Sequence, residues 1–394
     1  AHAGGDRARV AVYAATRAAR FTPPRELAHH LGELLSAPRG AKVTSRKEAV
    51  RLAAEHLPPR TAADLLAAAY RTEGQHHDVR AAVVASTTAL LDAEPVWDLL
   101  AEAAGQAPPP VRRAVLRTHP RHLPEAHRAR YAHLVAATAA AADPEVAAPA
   151  LAALPQWAAW APDTADVARR AVTDPANRGA WQQAADAVRT LAASGLPHPL
   201  GGAAPGSLLH RTLAELATAA RTDAPEAGDD RDLPARRRLA HLADLPADDR
   251  HRPLLAGVAG LLAAEPDLAG IRTAALRRLV DPAAGPQHLE AALGTLADAH
   301  RGRPAAAALT ALALLREHAS GPLPPPGTPD ALARTARRPG DTGPAAALFA
   351  TALTEAFGNR LGWPREWRAL LRELRRHPSP DVREQALAVA THRE

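Results

Sequence analysis

Arginine is the residue type in this chain best equipped for recognition chemistry, and it is concentrated between positions 112 and 133. Arg112, Arg113, Arg117, Arg121, Arg128 and Arg130 stand there against one acid, Glu125. Six positive charges less one negative leave +5 before any histidine is charged. A guanidinium offers five donors in a planar fork that matches carboxylate and phosphate oxygens. The segment could therefore meet an acidic protein surface or a nucleic-acid backbone. With His122, these six arginines are the candidate partner-binding residues; the alternative is a solvated helix face. A more diluted basic stretch holds Arg360, Arg365, Arg368, Arg372, Arg375 and Arg376, interrupted by Glu366 and Glu373. There the pairs Arg368–Arg372 and Arg372–Arg376 repel at helical spacing, which suits a solvated face or an acidic neighbour.

Other chemistries find less support. His119, His122, His127 and His133 fall close together, but a metal needs ligands converging at about 2 Å. Two of them flank a proline turn, and the other two are six apart on one helix, not on one face. They are read as surface histidines, and His29-His30 and His76-His77 as loop or helix-end residues; no metal and no cofactor is expected. Cysteine is absent, which excludes disulfides, a thiol nucleophile and cysteine-ligated zinc or iron–sulfur sites. No phosphate-loop, nucleophile-elbow or zinc-protease motif occurs. Gly201, Gly202 and Gly206 lie in a Pro/Ala-rich loop without the lysine a phosphate loop requires, so they read as a linker.

The elements that must position these residues are helices. About a quarter of the 394 residues is Ala, there is one isoleucine, Ile271, and aromatics are 3%. A sheet core needs β-branched and aromatic residues, whereas Ala is the best helix former. A short phrase recurs at helix starts. Ser379-Pro380-Asp381-Val382-Arg383 combines an N-cap residue, a first-turn proline and an acid that complements the helix dipole. Val382, Ala386, Val389 and Ala390 then form an apolar stripe. Asp143-Pro144-Glu145-Val146 and His77-Asp78-Val79-Arg80 repeat the phrase; Pro110-Val111-Arg112 and Gly270-Ile271-Arg272 are weaker copies. The first apolar residues fall at 79, 111, 146, 181, 271, 306, 345 and 382, with gaps of 32, 35, 35, 90, 35, 39 and 37. The long gap holds one further start near Ala235 plus a surplus loop and the acidic stretch Asp223 to Asp232.

A period near 36 with two helices per period describes an α-solenoid. On the phrase at 380–383, its cousins at 78–80 and 144–146, and the helix pairing, the chain resembles the HEAT-repeat family. The resemblance implies an all-α, right-handed α-solenoid of about ten stacked HEAT-like helical hairpins. It divides into an array over 1–194, a Gly/Pro-rich and acidic insertion over 195–232, and an array over 233–394 continuous with the first. Leu65, Leu66, Trp97, Leu99, Leu100, Leu276 and Leu370 should supply most of the burial. Arg80, Arg112, Arg272 and Arg383 are expected to form inter-repeat ladders to neighbouring acids. The helix expected near Asp6 to Arg20 and the end at Glu394 lack polar caps. With methionine absent even at position 1, the chain reads as processed or as part of something longer.

The function implied is non-catalytic: a scaffold, expected as a fragment or arm of a longer protein, gripping a protein partner on the concave face lined by the second helix of each pair. No membrane span and no small-molecule substrate is evident, and the expected location is cytoplasmic. The net charge of +6 is modest, and codon bias toward Arg accounts for much of the basicity. One alternative is a nucleic-acid-binding solenoid using the 112–133 patch. A second is suggested by some HEAT-like DNA glycosylases, which hold a damaged nucleotide with concave Trp and Asp residues. It requires an exposed tryptophan beside a carboxylate, with Trp157, Trp160 and Trp181 as the residues to watch. Trp97, Trp363 and Trp367 read as core.

Overall fold

The computed structural model describes residues 14, 16–36, 41–222 and 233–391. The acidic stretch 223–232 and most of the helix expected near 6–20 lie outside them. Among the described residues there is no strand. Two compact units, Ala1–Gly201 and Gly202–Glu394, divide the chain.

In the first unit the helices are α1 (Pro24–Ser36), α2 (Val43–His56), α3 (Pro59–Arg71), α4 (His77–Ser86), α5 (Glu94–Gly105), α6 (Pro109–Val115), α7 (Glu125–Ala139), α8 (Pro144–Ala153), α9 (Asp166–Thr173) and α10 (Trp181–Ala193). They form five hairpins. Each odd helix packs on the next odd one, from α1 to α9, and each even helix on the next even one, from α2 to α10. The second unit has α11 (Leu208–Ala220), α12 (Pro234–Ala243), α13 (Arg252–Leu261), α14 (Ala269–Arg278), α15 (Pro286–Ala299), α16 (Pro304–His318), α17 (Thr328–Ala336), α18 (Gly343–Leu361), α19 (Arg365–Leu374) and α20 (Pro380–Ala388). Here the even row is unbroken from α12 to α20, and α15, α17 and α19 pack in sequence in the odd row. Each unit is therefore a two-row stack of helical hairpins.

The recurring phrase marks the even row. Seven of the eight markers, all but 181, lie two residues inside an even helix, and α12 begins one residue before Ala235. Val79, Val111, Val146 and Val382 are each fully buried, so the phrase plants a β-branched side chain in the seam as the helix starts. Asp143 caps α8 by accepting from the Glu145 N–H at 2.9 Å. Ser379 does not act as expected: it occupies the N-cap with extended backbone but makes no side-chain capping bond. Proline at 380 has no N–H to satisfy, which lowers the demand for a cap. The expected insertion 195–232 also needs correction. It contains α11, capped by Ser207 and burying Leu208, Leu209, Leu213 and Leu216. The glycines and prolines before it hid an ordinary amphipathic helix.

Alanine lets the helices approach closely, and a few large residues fill the remaining space. Leu66, Trp97, Leu99, Leu100, Leu276 and Leu370 are buried as expected, while Leu65 is half-buried. Helix α18 is the extreme case. It runs 19 residues and is buried on nearly all sides, with Thr351 and Thr354 donating their hydroxyls to carbonyls one turn back. It stops at Gly362, whose φ of +73° gives the left-handed end that glycine adopts without strain. The chain then folds Trp363 back onto Gly358. A Cβ at 358 would stand 2.5 Å from the indole, so glycine is there for the ring.

Burial lowers the pKa of two histidines in the second unit, His300 and His318, and His300 is the more fully enclosed. His300 holds Leu296 O at 2.8 Å and the Thr310 hydroxyl at 2.9 Å, edge-on to Phe349. Burial pushes its pKa down, partly opposed by the bond to Leu296 O, with Arg303 and Arg272 lowering it further. In the unfolded chain a histidine titrates near about 6.5. Below that pH the unfolded state takes the proton more readily. Stability is therefore fully present above about pH 6.5 and lost as the pH falls toward the folded pKa. Between about pH 7.5 and about pH 5 the Tm should fall, and fall less in His300→Gln. Equal falls would show that His300 is not the group responsible.

Candidate partner-binding surface

The structure sorts the seven candidate residues into two sets. Arg112 starts α6 and turns back on the preceding helix, its Nε donating to Ala104 O at 3.1 Å and its Nη2 to Gly105 O. Arg128 donates to Leu123 O at 3.1 Å and lies 5.1 Å above the Trp160 ring. Arg130 makes a forked pair with Glu94 and lies 4.5 Å above Trp97. These three hold the fold together. Arg113 on α6 and Arg117 in the link after it are exposed, with no ion pair or side-chain hydrogen bond among the described residues. The Arg121 side chain, also exposed, holds His122, its Nε 3.2 Å from the ring Nε2. Nearby His119 accepts from the Arg121 N–H. Its pKa is lowered by desolvation first and by the positive charge of Arg121 and His122 next. The surplus charge of segment 112–133 is thus concentrated at the corner between α6 and α7.

The expected ladders take a different form. Arg80 donates to Tyr70 O and Thr72 O, Arg112 to Ala104 O and Gly105 O, and Arg383 to His377 O and Pro378 O. In each case the arginine of the phrase binds carbonyls at the end of the preceding odd helix or just beyond it, not an acid. The last carbonyls of a helix have no partner inside it and carry its negative dipole end, so a guanidinium one turn into the next helix satisfies both. Arg272 differs: among the described residues its buried Nε has no acceptor.

Acid ladders do exist, built by arginines the sequence reading passed over. Arg71 pairs with Glu102, Arg334 with Glu290 at 2.8 Å, Arg337 with Glu373 at 2.6 Å and Arg338 with Asp298 at 2.9 Å. The partners lie 31, 44, 36 and 40 residues apart, about one period. That separation was the available signal. Exposed pairs contribute little stability singly, but they penalise a slip of one hairpin against the next. In the second basic stretch, Arg360 and Arg375 also bind backbone carbonyls, and Glu373 belongs to the Arg337 pair.

The histidines do not converge. His127 reaches Asp92 at 3.0 Å and leans on Trp97, His133 faces Asp163 at 3.8 Å, and of the four in this segment His119 and His122 are the pair in ring contact. Among the described residues one group, His76, His77 and Asp78, could bring three donors together. His76 Nδ1 is already the N-cap acceptor for the Asp78 N–H, and a helix N-terminus disfavours a cation. Trp97, Trp157, Trp181, Trp363 and Trp367 are buried. Trp160 is half-buried beneath Arg128, and the nearby Asp163 faces His133. No helix among the described residues is long and apolar enough to cross a membrane.

No protein-family profile matches the sequence, and no curated protein matches it. Solved structures resemble it loosely. A crystal structure of an engineered protein shares 15% identity at a TM-score of 0.33, covering 91% of this chain and 97% of that one. A structure of Kap95p bound to RanGDP shares 14% at 0.33, covering 88% of this chain and 59% of the other. UNC-45 from Drosophila melanogaster shares 12% at 0.20, covering 95% and 70%. The fold stands on the two-row packing of its own helices.

Proposed function

We propose that the chain is a non-catalytic helical-repeat scaffold that binds an acidic segment of a protein partner at the corner between α6 and α7 of its first unit. The carrying observation is the division of labour among its arginines. Arg112, Arg128 and Arg130 are consumed by carbonyls, a carboxylate and indole faces. Arg113, Arg117 and Arg121 are held exposed, with no carboxylate beside them among the described residues. Three guanidinium groups gathered at one corner repel, and a partner's carboxylates would relieve that repulsion. Mutual shape and charge, with no chemical step, would then set specificity.

The test is affinity purification of the tagged chain from its own organism, compared with Arg113→Glu/Arg117→Glu/Arg121→Glu. A protein partner retained by the parent and reduced at least about tenfold by the variant is expected. Retention of nucleic acid instead, with an affinity falling by about 0.9 log unit per log unit of salt for each phosphate contact, would replace this reading with a nucleic-acid-binding one. A partner retained equally by both chains would remove the patch from the interface.

A further inference from the structure

A second surface of opposite charge lies in the Gly202–Glu394 unit. Helices α16, α18 and α20 pack side by side in the even row, and a groove of about 590 Å3 runs over α18 between the other two. Its apolar lining comes from Ala305, Ala308, Leu312 and Leu315 on α16, Leu348 on α18 and Ala388 on α20. Helix α16 is apolar nearly all round, which is the pattern of a covered helix, yet Leu309 is 70% and Leu312 41% exposed. Leu387 on α20, beside Ala388, is 64% exposed.

Three carboxylates face the same groove: Glu355 from α18, and Asp381 and Glu384 from α20. None has an ion pair or side-chain hydrogen bond among the described residues, although elsewhere in this unit Glu290, Glu373 and Asp298 each hold an arginine. Glu355 is half-buried, and desolvation alone raises its pKa. A carboxylate in that position lacks the cation that would offset its burial. Arg383 cannot supply it, being turned to the carbonyls of His377 and Pro378.

The dimensions favour a helix as occupant. Neighbouring helices pack about 8–10 Å apart, so α16 and α20 flank α18 with axes roughly 16–20 Å apart. A helix with its side chains is about 10–12 Å wide. The lining offers an apolar floor for anchors at i, i+3, i+4 and i+7, with acids toward the α18 and α20 side.

We infer that the α16–α18–α20 groove is a docking site for an amphipathic helix of a partner protein, its apolar face on Leu312, Leu315 and Leu348 and its flanking Lys or Arg side chains on Glu355, Asp381 and Glu384. This rests on the reading of the chain as a scaffold for a protein partner and adds a basic element to that partner.

The probe is a fluorescently labelled helical peptide with Leu at i, i+3, i+4 and i+7 and Lys along both flanks, titrated by anisotropy against the whole chain. Controls are the same composition scrambled and the Lys→Glu version. Saturable binding of the patterned peptide is expected, weakened at least about tenfold in Glu355→Gln/Glu384→Gln and in Leu312→Lys. Both variants alter groove-facing side chains outside the fully buried core, and far-UV circular dichroism checks that they fold. Binding of the scrambled peptide equally well, or binding unchanged in both variants, overturns the inference. So does concentration-dependent self-association by analytical ultracentrifugation that Leu312→Lys abolishes, since the occupant would then be a second copy. Failure here leaves the arginine patch untouched, because Arg113→Glu/Arg117→Glu/Arg121→Glu is read against the natural partner and not against this peptide.

Discussion

Trp157→Ala should lower the stability of the Ala1–Gly201 unit by about 3–5 kcal/mol. The indole is 1% exposed and stacks on Tyr131 with centroids 5.0 Å apart. Tyr131 in turn meets Trp97 edge-on at 6.5 Å and donates its hydroxyl to Val115 O at 2.7 Å. Trp97 is on α5, Tyr131 on α7 and Trp157 in the link between α8 and α9, so truncating the indole leaves a cavity where neighbouring hairpins join, not inside a single hairpin. Alanine-rich helices offer few long side chains to collapse into it. Urea titration followed by far-UV circular dichroism measures the loss; a midpoint within error of the parent would mean that the stack is not the keystone described.

Gln75→Leu should cost about 3 kcal/mol or more, and more than Arg46→Met. Gln75 is buried in the link between α3 and α4. Its amide donates to Leu35 O and Ala69 O, each at 3.1 Å, and its oxygen accepts from Arg46 Nη1. Arg46 is only 4% exposed, its pKa is lowered by desolvation, and its Nε has no acceptor among the described residues. Removing the glutamine orphans a buried cation and two helix-end carbonyls together. Removing the arginine orphans one amide oxygen, and Met fills most of the space. The two variants and their double, measured by the same titration, decide the order. If Arg46→Met proves the costlier, Arg46 is better satisfied than its surroundings indicate.

What the sequence disclosed followed from periodicity. The even helices announced themselves because Pro, an acid and Val recur at their starts, and Val79, Val111, Val146 and Val382 are indeed the seam residues. Helix α11 escaped notice because its Leu-rich stripe follows a run of glycines and prolines that reads as linker. The partner choices of the arginines were harder to foresee. An arginine's reach is set by where the preceding helix ends, so Arg80 and Arg383 found carbonyls where acids were expected. The charge excess of 112–133 was visible as a sum, but its separation into structural Arg112, Arg128 and Arg130 and exposed Arg113, Arg117 and Arg121 depends on neighbours in space. The groove over α18 needed three helices some 35–40 residues apart to be placed side by side. The one local sign of it is the apolar run of α16 from Pro304 to Leu315, interrupted by Thr310 alone.

The one-period spacing of pairs such as Arg337 with Glu373 carries a consequence for ancestry. A tandem copy of the stretch from Arg337 to Glu373 would bring a new base and a new acid together, so the array could lengthen there by one period without stranding a charge.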